Sequence, residues 1–188
     1  MADGKHLVFL GPPNSGKGTQ AARLAEHLGI PAISTGEMLR AAVAAGNELG
    51  KTVDAVMKSG ELVNDELMAE VVRERLAQDD ASNGFILDGY PRTGSQADTL
   101  DEILQGIGAS VDRVLLVEAP EDVLVERALG RGRADDSEEV VRERLRVYAE
   151  KTAPLIARYD GQGDVLARID GHQGIDAVHQ AILAAVES

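Results

Sequence analysis

A chain of 188 residues with 44% hydrophobic content suits one globular domain that buries roughly two-thirds of its unfolded surface. It holds no cysteine and only four scattered histidines, which excludes disulfides and thiolate metal sites, so zinc is not expected and any metal has to arrive with a substrate. A formal charge of −13 argues against non-specific binding to nucleic acid or to an anionic membrane, because both depend on positive fields.

No stretch approaches the roughly 20 apolar residues of a membrane span, and residues 1–5 lack the basic start and apolar run of a signal peptide. The expectation is a cytoplasmic protein, and a monomer, since no apolar coiled-coil seam is visible. Short apolar runs alternate with amphipathic segments, the pattern of an α/β fold with a parallel sheet. The first run, 6–10, leads to a helical pattern at 17–28. The second, 32–34, is followed by helical patterns at 36–45, 49–58 and 65–78 before the third strand at 85–87. More helix lies there than one crossover needs, so residues 36–76 are expected to leave the sheet as a helical flap able to hold a second substrate. A helix at 95–105, a strand at 113–117, a helix at 121–131 opened by Pro120, and one long helix at 137–159 follow. A fifth strand at 165–169 and a helix at 174–187 complete a three-layer fold around a five-stranded parallel sheet.

Between the first strand and its helix stands Gly11-Pro12-Pro13-Asn14-Ser15-Gly16-Lys17-Gly18-Thr19. This has the spacing and context of a phosphate-binding loop. Glycines let the backbone curl so that successive N–H groups face a phosphate. The helix N-terminus adds partial positive charge, and Lys17 can reach the β- and γ-phosphates of a nucleotide. Asn14, Ser15, Gly16, Lys17, Gly18 and Thr19 are therefore the candidate ATP contacts. Gly18 occupies the slot where such loops usually place the Mg²⁺-binding hydroxyl, and Thr19 follows one position later.

At the carboxyl end of the third strand, where open α/β sheets bind ligands, lies Asp88-Gly89-Tyr90-Pro91-Arg92-Thr93. Turn chemistry accounts for Gly89 and Pro91 but not for the acid and the arginine that bracket them. Asp88, with Thr19, is positioned to anchor hydrated Mg²⁺, and the planar fork of Arg92 to bridge the phosphates of donor and acceptor.

Further along, Arg127, Arg131, Arg133 and Arg144 form an arginine-dense region inside a strongly acidic chain. Arg127 and Arg131 are four apart and share a helix face, while Arg144 on the next helix can close on the same phosphates. Arg142 and Arg146 are read as surface ion-pair partners of Glu138 and Glu139 and left out of the site.

Four segments together carry a resemblance: Gly11-Pro12-Pro13 with Gly16-Lys17-Gly18-Thr19-Gln20, Ser34-Thr35-Gly36-Glu37-Met38-Leu39-Arg40, Gly60-Glu61-Leu62-Val63, and Asp88-Gly89-Tyr90-Pro91-Arg92. In these the chain resembles the adenylate kinases over nearly its whole length. The resemblance implies a P-loop sheet with an AMP-binding flap at about 34–63 and a short lid at about 130–136, in one domain spanning residues 1–188. It implies reversible, Mg²⁺-dependent phosphoryl transfer from ATP to AMP, giving two ADP. By position, Thr35 and Gly36 resemble the adenine side of the AMP site and Arg40 and Arg92 its phosphate ligands. Glu61, Leu62 and Val63 resemble its backbone wall, Gly89, Tyr90 and Pro91 its turn, and Gln96 its adenine-reading amide. Arg127 and Arg131 then face ATP, Arg133 and Arg144 complete the contacts to AMP and to the transferred group, and Asp135 and Asp136 orient the arginines. Lys17, Arg92, Arg131, Arg133 and Arg144 are the implied catalytic cations.

The chain departs from the family pattern in places. Asn14 stands where glycine is usual, and asparagine is the residue besides glycine that best tolerates a left-handed backbone. Glu37 replaces the commoner aspartate, and only Gly132 separates Arg131 from Arg133, leaving a minimal lid. In the stretch Gly171-His172-Gln173-Gly174, Gln173 is the nearest position for the family's contact to the adenine of ATP. Three rivals stay open on sequence. A UMP/CMP kinase of the same fold typically carries Ala and Asn where Thr35 and Gln96 stand. A P-loop kinase of a hydroxylated metabolite needs a general base in place of the arginines around the acceptor. A non-catalytic adenine nucleotide sensor keeps the site without turnover.

Overall fold

The computed structural model describes residues 5–133 and 136–187. Its sheet has five parallel strands in the order β2-β3-β1-β4-β5: β1 Lys5–Leu10, β2 Ala32–Ser34, β3 Gly84–Asp88, β4 Arg113–Glu118 and β5 Leu166–Asp170. Strand β1 lies in the middle, with β3 on one side and β4 on the other. The chain reverses direction of travel across the sheet there, which opens a crevice beyond the carboxyl ends of the strands. Phe9 of β1 pairs with Asp88 of β3, so the loop that follows β1 and the one that follows β3 emerge side by side.

The two faces of the sheet follow from the two-residue period of its strands. Val8, Leu10, Phe85, Leu87, Val114 and Leu116 share one apolar cluster, while Leu7, Phe9, Ile86, Leu115 and Val117 share the other. Helices α1 (Lys17–Leu28) and α9 (Ile175–Glu187) cover the second face through Leu24, Val178 and Ile182. Helices α4 (Asp65–Leu76), α5 (Gly94–Gly106) and α8 (Pro154–Asp160) cover the first through Met68, Val72, Leu100, Leu104, Leu155 and Tyr159.

Helices α2 (Thr35–Ala45) and α3 (Glu48–Ser59) make the excursion that the sequence suggests. They pack closely because Gly50 has no side chain: a Cβ there would lie 2.1 Å from the Ala42 carbonyl oxygen. Side-chain caps fix where α2, α3 and α4 start, with Ser34 accepting from Glu37 N–H, Asn47 from Gly50 N–H and Asn64 from Leu67 N–H. The excursion ends earlier than residue 76, because α4 carries Met68 and Val72 back into the core.

The single helix expected at 137–159 is broken. Helix α6 (Glu121–Arg131) is followed by α7 (Glu138–Val147), a π-helical turn at Tyr148–Thr152, and then α8. Pro154 has no N–H and its ring blocks the regular ladder, so Ala153 N–H reaches back five residues to Tyr148 O at 2.8 Å. The widened turn carries the buried Thr152, whose hydroxyl donates to Arg92 O at 2.8 Å.

Candidate active site

A cleft of about 990 Å³ opens beyond the carboxyl ends of the strands. The loop after β1 forms its floor. Gly11 takes φ 137°, and a Cβ there would fall 2.1 Å from Val117 O, so only glycine lets the chain pass β4 this closely. Asn14 adopts a left-handed φ of 68°, which asparagine tolerates best after glycine. Gly16, at φ 100°, turns the chain into α1. Lys17 lies over the loop, its Nζ donating to Gly11 O at 2.9 Å and Pro12 O at 2.6 Å. Burial pushes its pKa down to about 8; Asp88 opposes the shift, and Arg92 and Arg131 add to it. An amine held in this way is short of negative charge.

Arg92 lies opposite. Its Nε donates to Gly89 O at 2.7 Å, and burial lowers its pKa, with Arg144 and Arg40 working in the same direction against Asp88. Gly89 permits this bend: a Cβ would come within 2.7 Å of Thr35 Oγ1 and 2.9 Å of Arg92 Nη2. Thr35 is 1% exposed and its hydroxyl is 3.5 Å from Asp88 O. The cap of α2 is Ser34 and not Thr35, which leaves the Thr35 side chain to the cleft wall. Arg40 folds back over Gly36, with a guanidinium nitrogen 3.1 Å from where a Cβ would sit.

On the far side, α6 and α7 present their arginines to one buried acid. Asp136, its side chain 1% exposed, accepts two bonds from Arg131 at 2.9 and 2.8 Å and one from Arg144 at 3.0 Å. Arg144 also donates to Met57 O at 3.4 Å, tying α7 to α3. Arg133 reaches Glu37 on α2. Burial, then Arg40 and Arg131, lower the Arg133 pKa. Arg127 donates to Gly171 O at 2.9 Å and Ser15 O at 3.5 Å, pinning the turn after β5 to the phosphate loop. Close approach there again needs glycine, since a Cβ on Gly171 would lie 2.9 Å from Ser15 O.

The cleft thus gathers Asn14, Ser15, Gly16, Lys17, Gly18, Thr19, Thr35, Gly36, Arg40, Glu61, Leu62, Val63, Asp88, Gly89, Arg92, Gln96, Arg127, Arg131, Arg133, Arg144 and Gln173. Tyr90 and Pro91 do not line the cleft; Tyr90, 1% exposed, belongs to the core behind it, where a large ring on the turn finds apolar neighbours. Asp135 lies outside the described residues, as does Ala134 of the segment 130–136. Arg142 pairs with Glu138 as expected; Arg146 instead takes Glu143 and Glu150, one helical turn to either side, and Glu139 is not its partner.

The sequence reading missed two supporting acids. Glu37 binds both Arg40 and Arg133, yet its place three residues after Ser34 has the look of an ordinary helix start. Asp65, at the first turn of α4, accepts from Thr93 and from Gln96 at 2.8 Å each, a contact across 28 and 31 positions that no local pattern announces. Among the described residues no group of three or more His, Asp or Glu side chains could hold a metal unaided. The donors beside the loop are the Asp88 carboxylate, with an oxygen 3.6 Å from the Cβ position of Gly18, and Thr19.

A phosphate-binding loop at the centre of a parallel sheet, faced by arginines from two sides, defines a nucleotide-binding phosphotransferase. A model of the adenylate kinase family matches residues 9–164. The chain is 51% identical over 185 residues to an adenylate kinase of Stenotrophomonas maltophilia (strain R551-3), covering 96% of this chain and 98% of that protein. It is 53% identical over 178 residues to adenylate kinase 1 of Synechocystis sp., covering 95% of each, and 49% identical over 185 residues to an adenylate kinase of Kocuria rhizophila, covering 96% and 98%. The chain belongs to the adenylate kinase family, and with it to the nucleoside monophosphate kinases.

Proposed function

We propose that this chain transfers the γ-phosphoryl group of ATP to AMP and back, with ATP over the phosphate loop and AMP under α2 and α3. The observation that carries the reading is the convergence of Lys17, Arg40, Arg92, Arg131, Arg133 and Arg144 on one cleft. The acceptor is already a phosphate oxyanion, so no residue has to remove a proton. The protein's task is to align two nucleotides tail to tail and to neutralise charge along the in-line path. Lys17 and the loop N–H groups bind the β- and γ-phosphates, Arg40 and Arg92 the AMP phosphate, and Arg131, Arg133 and Arg144 the group in flight. Thr35, Gly36, Glu61 to Val63 and Gln96 hold the AMP base and ribose, and Arg127 with Gln173 the adenine end of ATP.

A single carboxylate next to substrate phosphates suits Mg²⁺, which binds few protein ligands and keeps its water. Asp88, with Thr19, would hold it through water, and when bound it supplies further neutralisation of the phosphate charge. Residues 34–63 act as the flap and 130–136 as the short lid, closing to exclude water. The Arg133 to Glu37 contact supports this reading, since it already joins the two, and Arg144 to Met57 ties the flap to α7. The setting is cytoplasmic and the unit a monomer; among the described residues no helix is long and apolar enough to cross a membrane.

The test is ADP formation from ATP, Mg²⁺ and each of AMP, UMP, CMP and GMP. AMP is expected to be the strongly preferred acceptor. Preference for a pyrimidine, or nucleotide binding without turnover, would overturn the proposal. Hydrolysis of ATP at an appreciable rate without AMP would refute the closure.

A further inference from the structure

Gln96 lines the cleft yet is 2% exposed, and both ends of its side-chain amide are already claimed. Its Oε1 accepts from Arg92 N–H at 2.7 Å, and its Nε2 donates to Asp65 Oδ1 at 2.8 Å. The other Asp65 oxygen accepts from the Thr93 hydroxyl at 2.8 Å, and Thr93 in turn caps α5 by accepting from Gln96 N–H at 3.2 Å. An ionised carboxylate only accepts and a backbone N–H only donates. The amide is thus held in one of its two orientations from both ends.

We infer that Asp65 is a positioning residue that sets base selectivity: by holding the Nε2 end of Gln96, it makes the site accept a 6-aminopurine monophosphate and reject a 6-oxopurine one. The inference rests on the reading that Gln96 faces the base of the acceptor nucleotide. In the held orientation one Nε2–H and one Oε1 lone pair remain. They match an adenine edge, whose N1 accepts and whose 6-amino group donates. A 6-oxopurine presents the reverse, a donating N1–H and an accepting oxygen, and would require the amide to turn over. Turned, it would set Oε1 against the Asp65 carboxylate and Nε2–H against Arg92 N–H, two repulsive pairs in a buried place. Rejection by mismatched buried polar groups is the strong form of discrimination.

The experiment compares AMP with IMP, which differs at this edge alone, in wild type, Asp65→Asn and Thr93→Val. Asparagine can turn either its oxygen or its amino group to Gln96, so the constraint is lost at nearly constant shape. In Asp65→Asn, kcat with AMP is expected to stay within about twofold and KM for AMP to rise by about tenfold. The AMP to IMP ratio of kcat/KM is expected to fall by about tenfold or more. Thr93→Val removes the other bond to Asp65 and the cap of α5. It should lower the melting temperature and leave the AMP to IMP ratio as in wild type.

An unchanged ratio in Asp65→Asn overturns the inference, and so does an equal change in Thr93→Val, which would mark a merely structural effect. Should Asp65→Asn not fold, the side-chain amide of ¹⁵N-labelled wild type decides. One Gln96 Nε2 proton, held on Asp65, is expected to exchange far more slowly than the amide protons of an exposed glutamine; exchange of both protons at the exposed rate would overturn the inference. A wild type that does not phosphorylate AMP would defeat the underlying reading instead, whatever the variants do.

Discussion

Arg133, just beyond α6, donates to the same carboxylate oxygen of Glu37 as Arg40 does, at 2.6 and 2.5 Å, so one acid of α2 holds cations from both banks of the cleft. Glu37 stands at the mouth of a site built for phosphates. Its carboxylate partners the two guanidinium groups that a phosphate would otherwise take.

If AMP has to win these arginines from Glu37, then Glu37→Gln lowers KM for AMP. The side chain is largely exposed, and such pairs are worth about 0–1 kcal/mol each, so the expected change is about two- to fivefold. Steady-state kinetics with AMP varied at saturating ATP measures it; a raised KM would show that Glu37 aligns the arginines and does not compete for them. Bonding to Arg40, then the charges of Arg40, Arg133 and Arg131, holds the Glu37 carboxyl below the usual carboxylate range. A depressed carboxyl keeps its contribution above the unfolded value of about 4.3 and loses it as pH falls through the lower folded one. The difference between wild type and variant should therefore be level across the neutral range.

In the proposed arrangement Arg92 is the cation between the two phosphate chains; its side chain bonds to Gly89 O, and Thr152 and Gln96 hold its backbone. Arg92→Ala is expected to lower kcat by at least about a hundredfold, the order seen when one preorganised transition-state donor is removed. Arg92→Lys should recover little, because a point charge does not reproduce the fork. Near-normal turnover in either variant would remove Arg92 from the chemistry.

Lys17 gives a pH dependence with a definite sign. With its pKa at about 8, the free protein loses this proton above that pH, whereas bound phosphates favour the charged amine. ATP affinity should fall as pH rises through about 8, with proton uptake on binding at pH 9, read by calorimetry in buffers of different ionisation heat. Stability moves the other way. An unfolded lysine keeps its proton to about 10.4, so between the two values the unfolded chain binds more protons and folding gains as pH rises. Lys17→Met should accordingly melt above wild type at pH 7, by a margin that narrows at pH 10.

Asn14 carries a left-handed backbone at φ 68° with its buried Oδ1 lacking a protein partner. Asn14→Gly relieves both, and glycine is at home at this φ. The expected result is an unchanged or slightly raised melting temperature and a KM for ATP within about twofold of wild type. A large loss of ATP affinity would mean that the amide itself binds the nucleotide.

Most of the fold is legible because its signals are local. Apolar runs such as Leu7 to Leu10 bounded by turn residues mark buried strands, and Gly11 to Thr19 declares its loop by spacing. The one long helix drawn through 137–159 fails for a local reason, the missing N–H of Pro154, and the resulting π turn places Thr152 on Arg92. Tyr90 follows Gly89 in the motif, yet its ring turns inward to the core, which a motif does not announce.

What the sequence by itself determines here is the α/β class and the phosphate loop, since each depends on residues a few positions apart; the full set of arginines, from Arg40 to Arg144, follows only from the family resemblance. Only the tertiary structure decides which acids hold those cations and amides. Glu37 meets Arg133 across 96 positions, and Asp65 meets Gln96 across 31. Such pairs are made by strand order and helix packing, which bring together groups whose separation along the chain carries no periodicity to read.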